Sequence, residues 1–389
     1  MRKTLLGIAA FLLFLAFPLL GQGQSQGSEH AAVLIPDSSL EHAEDVGARA
    51  HTNHLIKFAP DFGGTSPSGE TPQSIRPVYN LPSTGGSGLI AIVDAFHYAT
   101  AENDLNVFSQ AFGLPPCTIS NGCFNVVFAS GTQPRNNCGW AQEAALDIEW
   151  AHAMAPGARI VLVEAATNSF ADLFQAVDVA AGLAGVTQVS MSWGGSEFSS
   201  EASNDGHMLK TGVVFFASSG DTGGVTIYPG VSPNVVSAGG TTIHRDRNGN
   251  FTGETGWSGS GGGPSKYETR PSYQDGIASI VGAKRGSPDF SFDADPNSGV
   301  SVYDSMRCQG ASGWLVFGGT SVSSPSLAGI VNLAGGATSS AAELATIYAN
   351  FSNPSDFRDI VSGTAGSFSC TVGWDFVTGV GSNQGLNGK

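Results

Sequence analysis

The chain has 389 residues, 41% of them hydrophobic and 13% charged, which is apolar material for one large core or two modest ones. Lys and Arg total 17 against 32 Asp and Glu, a net charge of −15, and no Lys/Arg-rich run occurs. Nucleic acid and anionic membrane both need clustered cations, so neither is an expected partner. The 53 glycines are scattered through apolar segments, which argues against disorder of the whole chain.

At the N-terminus, Arg2 and Lys3 precede an apolar run over residues 5–20 and then the polar "GQGQSQ". This is the pattern of a cleaved secretory signal, placed here at residues 1–24. The run is short for a membrane span, and no basic stop-transfer cluster follows it. A secreted protein with no stable membrane association is expected. Residues 25–71 are polar and marked by Gly, Pro and Ser, and read as a leader, a linker or a short pro-segment. The core is expected to begin near "IRPVYNLP", with one domain over residues 72–389.

Short apolar runs then alternate with helical patterns. "GLIAIVDAF", "RIVLVEA", "TQVSMSW" and "GVVFFAS" read as buried strands, and helical patterns lie around 102–112, 141–154 and 170–181. Near-continuous apolar strands alternating with helices predict an α/β fold, a parallel sheet with helices on both faces. Residues 239–305 are rich in Gly, Ser and Asp and read as long loops. Export permits disulfides, and "CTISNGC" places Cys117 and Cys123 to close a small loop. With Cys138, Cys308 and Cys370 the count is odd, so at least one thiol has no partner within the chain.

The segment "WAQEAALDIEWAHAMAPGA" is dominated by helix formers and stops at Pro156 and Gly157. Glu143 and Asp147 are four apart, so they share one helix face, about 5–6 Å apart at Cβ. No Lys or Arg lies between Arg135 and Arg159, and the flanking residues are Ala, Leu, Ile, Trp and Met. That setting fits a buried acidic pair better than a solvated face. Two close carboxyls in apolar surroundings share a proton and titrate together, one pKa being raised. Glu149 points off this face and reads as structural.

A second segment, "GTSVSSP", follows the apolar "GWLVFG". It resembles the nucleophile segment of subtilisin-like enzymes, in which a serine begins a helix. The "HGTH"-type motif of that fold is missing. The eight histidines (His30, His42, His51, His54, His97, His152, His207 and His244) lie in other contexts. The ordered set "YNLP", "EAALDIE", "SMSWGG", "ASSGDTGG", "GGTSVSSP", and "RDIVSG" with "GWDFVTGVGS" instead resembles the sedolisin family, serine-carboxyl peptidases of subtilisin-like fold. The resemblance covers roughly residues 72–382.

The resemblance implies Ser321 as nucleophile, Glu143 as general base and acid, Asp147 as the residue orienting Glu143, and Asp221 as the oxyanion-hole residue. Ser323, Ser324 and Ser326 are left as helix-start or packing residues. Asp221 must be protonated to donate to an oxyanion, which implies action in acid. "SMSWGG" resembles the strand edge along which peptides pair, at Ser192, Trp193 and Gly194. The resemblance further implies one structural calcium ion held by Asp359 and Asp375 with backbone oxygens of Ile360, Thr371 and Gly373, hard ligands suited to that cation. Where the family prefers Gly-x-Gly before Trp-Asp, this chain has Thr371-Val372-Gly373. Family members carry a long N-terminal prodomain, and the stretch before "IRPVYNLP" is short for one. The implied protein is a monomeric, secreted peptidase acting on peptides or proteins. The rivals are a subtilisin-type hydrolase using Asp94 with a histidine, and a catalytically silent peptide-binding homologue.

Overall fold

The computed structural model describes residues 32–58 and 63–389. The secretory signal expected at residues 1–24, and the first part of the leader, lie outside the described residues.

The apolar runs form the middle of a ten-stranded sheet. In chain order its main path is β1 (Leu89–Ala95), β2 (Phe124–Phe128), β3 (Arg159–Ala165), β4 (Val186–Met191), β5 (Val214–Ser218), β6 (Val236–Arg245), β7 (Phe290–Asp293), β8 (Phe357–Arg358) and β9 (Ser382–Asn383). They lie side by side as β8-β9-β7-β6-β5-β4-β1-β3-β2. Every neighbouring pair is parallel except β8 with β9, and Phe251–Gly256 adds antiparallel to β6. A parallel sheet is stable when both faces are covered, and alternation along β1 shows that they are. Ile90 and Ile92 join one apolar core with the helices Ala101–Ala111, Cys138–Met154 and Thr320–Ala334. Leu89, Ala91 and Val93 join another with the helix Phe170–Gly182. The fold is α/β and subtilisin-like, as the sequence implied.

Local chemistry sets the helix ends. Asn137 caps the acidic helix, Cys138–Met154, by accepting from the backbone N–H groups of Gly139 and Trp140. Gly335, in the left-handed region, ends the serine helix, Thr320–Ala334. Disulfides join Cys117 to Cys123 and Cys138 to Cys308, while Cys370 is buried and free. The second bridge ties the first residue of the acidic helix to the strand Val300–Cys308.

Two expectations need correction. Residues 239–305 are not long loops, since they hold most of β6, the strands Phe251–Gly256 and Gly263–Thr269, β7 and much of Val300–Cys308. Glycine there serves close packing. A β-carbon on Gly239 would collide with Ser291 and Pro288, and one on Gly240 with Trp257 and Ala294. "TQVSMSW" is also not one strand. It breaks at Ser192 into β4 and a separate strand, Trp193–Ser196.

Residues before position 72 also take part in the packed body. The compact unit runs from Ala31 to Lys389, and residues before the helix Pro72–Val78 contribute strands to it. His51–Thr52 pairs antiparallel with Trp193–Ser196, and Leu55–Lys57 pairs antiparallel with Ala311–Gly318.

Candidate active site

The site lies at the carboxyl ends of β1, β4 and β5, where α/β sheets commonly bind ligands. Asp94 is near the end of β1, Ser192 follows β4, and Asp221 lies in the turn after β5. The acidic helix and the serine helix pack together beneath them, with Gly329 against Met154, where a β-carbon would be too close. The sequence separates these residues by up to 227 positions (Asp94 to Ser321), and the sheet brings them together.

Every residue from Gly139 to Met154 is buried, so the expected acidic pair lies in the interior. Glu143 and Asp147 are each 0% exposed and Asp94 is 1% exposed. Burial pushes Glu143 up to about 8, against the pull of hydrogen bonds from Ser321 and the Asn53 N–H. Asp147 is driven well above the usual carboxylate range by burial, then by Asp94 and Glu143, while a hydrogen bond from Ser192 opposes the shift. Asp94 is raised by burial and by Glu143 and Glu164. These carboxyls repel one another's charges, so protons leave them in coupled steps. Glu149 lies elsewhere on the helix, accepting the Tyr303 N–H at 3.0 Å, which fits its structural reading.

Ser321 stands in the first turn of its helix, entered through Gly319 at φ 97°. That positive φ suits glycine, and a β-carbon there would collide with Asn53 O, Asp221 Oδ2 and the His54 α-carbon. Asp221 Oδ1 caps the serine helix by accepting the Thr320 N–H at 2.7 Å and its hydroxyl at 2.9 Å. These bonds favour the charged form, yet burial is the larger cause and pushes Asp221 up to about 8. Its Oδ2 is buried without a partner among the described residues. The Ser321 hydroxyl donates to Ser192 O at 3.2 Å, and the Ser192 hydroxyl donates to Asp147 Oδ1 at 2.8 Å. Ser324 and Ser323 pack instead, on the Ser190 hydroxyl at 2.8 Å and Phe292 O at 3.4 Å.

Of the expected strand edge, Ser192 and Gly194 offer backbone to the cleft, while the Trp193 indole is buried and donates to Val93 O at 2.8 Å. That edge is already paired within the chain, His51 with Gly194 and Thr52 with Trp193. Asn53 follows, its N–H reaching Ser192 O at 3.2 Å and Glu143 Oε2 at 3.1 Å. Its carbonyl accepts the Ser321 N–H at 3.0 Å, and its side-chain amide donates to the Ser218 hydroxyl at 2.7 Å. His54 Nδ1 lies 2.9 Å from Glu143 Oε2, with the ring stacked on Phe317 at 5.3 Å. Burial lowers His54 to about 3, so the ring is neutral, with Nδ1 against Glu143.

Asn53, His54 and Ser218 were missed as site residues, and Asp94 belongs to the carboxyl cluster rather than to a separate dyad. In the sequence, "HTNHLIKF" sits within a polar stretch, and its one cue is a short apolar patch after two histidines.

Near the C-terminus, the five residues expected to hold a cation gather around one loop. Asp359 accepts the Gly373 N–H at 3.2 Å and 3.1 Å through its two oxygens, and Asp375 Oδ2 accepts the Thr371 N–H at 3.0 Å. Ile360 packs beneath with Cys370 and Val377. No hydrogen bond among the described residues ends on the carbonyl oxygens of Ile360, Thr371 or Gly373. Two carboxylates and three unengaged carbonyls in one loop form an all-oxygen set that fits calcium.

Residues 126–381 match the subtilase family. The chain is 27% identical over 362 residues to sedolisin of Pseudomonas sp. (strain 101), covering 81% of this chain and 60% of that protein. It is 28% identical over 370 residues to kumamolisin of Bacillus sp. (strain MN-32), covering 85% of this chain and 65% of that protein. The chain thus spans about 60% to 65% of the length of these curated relatives. A solved structure of Pseudomonas sedolisin, a serine-carboxyl proteinase complexed with two molecules of pseudo-iodotyrostatin, superposes with a TM-score of 0.69 at 26% identity. That match covers 82% of this chain and 96% of the other. By its match over residues 126–381 this chain belongs to the subtilase family, and within it the chain is similar to sedolisin and kumamolisin.

Proposed function

We propose that the protein is a secreted serine-carboxyl peptidase that hydrolyses peptide bonds in acid. The observation that carries this is a peptide carbonyl, that of Asn53, resting on the Ser321 N–H beside Asp221 and Glu143. Ser321 attacks the scissile carbonyl, and Glu143 takes its proton and later gives it to the leaving nitrogen. Asp147 positions Glu143, and burial and its acidic neighbours raise it well above the usual carboxylate range. The Ser321 N–H and the Asp221 Oδ2 hydroxyl receive the developing oxyanion. Asp221 donates only while protonated, so turnover falls as pH rises through its value of about 8. Burial is the main cause of Glu143's elevation, and Asn53 and His54 lie against its Oε2. A cleft open to water returns Glu143 toward its ordinary range, so that it can act as a base in acid.

Peptide substrates would pair along Ser192, Trp193 and Gly194 as His51–Thr52 does. The two disulfides support an oxidising destination, and no helix among the described residues is long and apolar enough to cross a membrane. A calcium ion held by Asp359, Asp375 and the carbonyls of Ile360, Thr371 and Gly373 would brace the C-terminal loop. No step of the chemistry runs through it. The protein is read as a monomer.

The contact between His54 and Glu143 favours a second reading, a Ser-His-Glu relay with His54 as base. Against it, His54 Nε2 has no hydrogen-bond partner among the described residues. The main chain of residues 53 and 54 also fills the place an incoming substrate would need. Turnover of peptides by His54→Ala and Glu143→Ala variants at pH 4 decides between them. Loss in Glu143→Ala with retention in His54→Ala is expected, and the reverse pattern overturns the carboxyl mechanism.

A further inference from the structure

Glu197 directly follows the strand Trp193–Ser196 and is 5% exposed. Its carboxylate collects donors from two other segments. Oε2 accepts the Thr226 hydroxyl at 2.6 Å, Oε1 accepts the Ser265 hydroxyl, and the Lys266 N–H reaches the two oxygens at 3.0 and 3.2 Å. Glu201, with no exposed surface, makes a further hydrogen bond with it. Burying a carboxylate is costly, and donors in this number offset the cost. Thr226 ends the turn that begins at Asp221, and the residues after it, Ile227 and Tyr228, pair antiparallel with Ser196 and Gly195. The bond from Thr226 to Glu197 extends that pairing by one position. On its other side the Asp221 turn rests on residues 260–262. Gly224 N–H donates to Ser260 O at 3.1 Å, Gly262 N–H to Val225 O at 3.2 Å and Gly261 N–H to Gly220 O at 2.8 Å. That segment runs straight into Ser265 and Lys266 on the strand Gly263–Thr269. One carboxylate thus joins the peptide edge, the turn that carries Asp221 and the wall behind that turn.

We propose that Glu197 is a positioning residue for the oxyanion site, fixing the Asp221 turn relative to the strand edge on which substrate lies. The proposal rests on the peptidase reading above. The hydrogen bonds of Glu197 go to neither Ser321 nor Asp221, so it acts through the backbone they stand on. Pairing along Trp193–Ser196 sets where the scissile carbonyl lies, and the Asp221 donor must meet the oxyanion formed there at hydrogen-bond distance. Without Glu197, the Thr226 hydroxyl and the Lys266 N–H lose a buried acceptor. The turn and the edge then shift independently of one another. The loss falls on the transition state, where the oxyanion exists, rather than on ground-state binding.

Steady-state hydrolysis of one peptide at pH 4, normalised to titrated active sites, tests this. Glu197→Ala should lower kcat about 10- to 100-fold, the cost of a misplacement of roughly an ångström, with KM within about threefold of the parent. Glu197→Gln keeps an amide oxygen for the Thr226 hydroxyl and the Lys266 N–H, and should recover most of that loss. In a double-mutant cycle, Glu197→Ala should cost Asp221→Ala no more than about twofold further, because the donor it positions is already gone. Losses that multiply independently in that cycle, or a rise in KM alone, would overturn the proposal and leave the peptidase reading standing. So would an unchanged kcat per active site in Glu197→Ala, the result for a residue that only supports the fold. A parent protein that hydrolyses no peptide at any pH would remove the peptidase reading itself.

Discussion

The chain holds two groups of acidic residues that look alike in sequence and sit in opposite settings. Asp147, in the acidic helix, receives one hydrogen bond, from the Ser192 hydroxyl, and faces Glu143 and Asp94 with no cation nearby. Asp375, in the C-terminal loop, receives bonds from the N–H groups of Thr371, Val377 and Thr378 and from the Thr378 hydroxyl. Donors stabilise a carboxylate, whereas burial beside other carboxyls stabilises the acid. Both aspartates are raised by burial, but at Asp375 every other contribution opposes it, while at Asp147 the neighbouring acids add to it. The first group therefore favours the protonated form, while the second offers donors that favour a carboxylate.

The largest effect expected from breaking the first group comes at its centre. Ser321→Ala and Glu143→Ala should each lower kcat on the order of 10⁴- to 10⁶-fold, as removal of a member of a concerted unit does. Near-normal melting curves would show that the fold survives. Turnover within tenfold of the parent in Glu143→Ala would end its role as base.

Asp221 comes next, on the boundary between the two behaviours, with capping bonds on one oxygen and none on the other. Asp221→Ala should cost about 100- to 1,000-fold in kcat, the worth of one oxyanion donor. An amide donates at any pH, so Asp221→Asn should keep more activity than Asp221→Ala and should not lose it as pH rises through about 8. Equal losses with unchanged pH profiles would show that no proton is donated from this position.

Stability should follow the same division. Glu143 and Asp221 are raised to about 8 in the folded protein, while the unfolded chain ionises such groups near about 4. The stability they contribute is therefore complete below about pH 4 and lost as pH rises through about 8. Asp94, Asp147, Glu149 and Asp293 shift in the same direction. The Ser321→Ala protein, immune to self-digestion, should melt at a higher temperature at pH 4 than at pH 8. A melting temperature that climbs steadily over that range would contradict the assignment.

The smallest effect belongs to the second group. Calcium at one hundred times its Kd stabilises a native state by about 2.7 kcal/mol, which for a chain of this size is a shift of several degrees. Chelation should remove that shift, and Asp375→Ala should abolish the response to added calcium whatever its own stability. Stable, active protein that contains no calcium by metal analysis would leave the loop as a capped turn.

How much of this could be read in advance differs from residue to residue. The burial of Glu143 and Asp147 was legible from a one-turn spacing in an apolar, cation-free helix, whereas Ser321 and Asp221 were singled out by resemblance to a family's motifs. Leu89–Ala95 and Arg159–Ala165 were legible because burial on both faces writes a continuous apolar run. Residues 239–305 were not. Strands packed through glycine and serine have the composition of loops, and only the neighbours that would meet a β-carbon reveal why.

The sequence by itself determined the α/β alternation, the acidic pair without a counter-ion and the small Cys117–Cys123 loop. These are local patterns, fixed by periodicity, propensity and spacing. The tertiary structure alone decided that Asp94 joins the carboxyl cluster, that Cys138 meets Cys308, and that "HTNHLIK" lies across the nucleophile rather than in a linker. Strand pairing is satisfied by backbone groups that every residue carries, so the edge that captures a segment leaves almost no mark in the segment's own side chains.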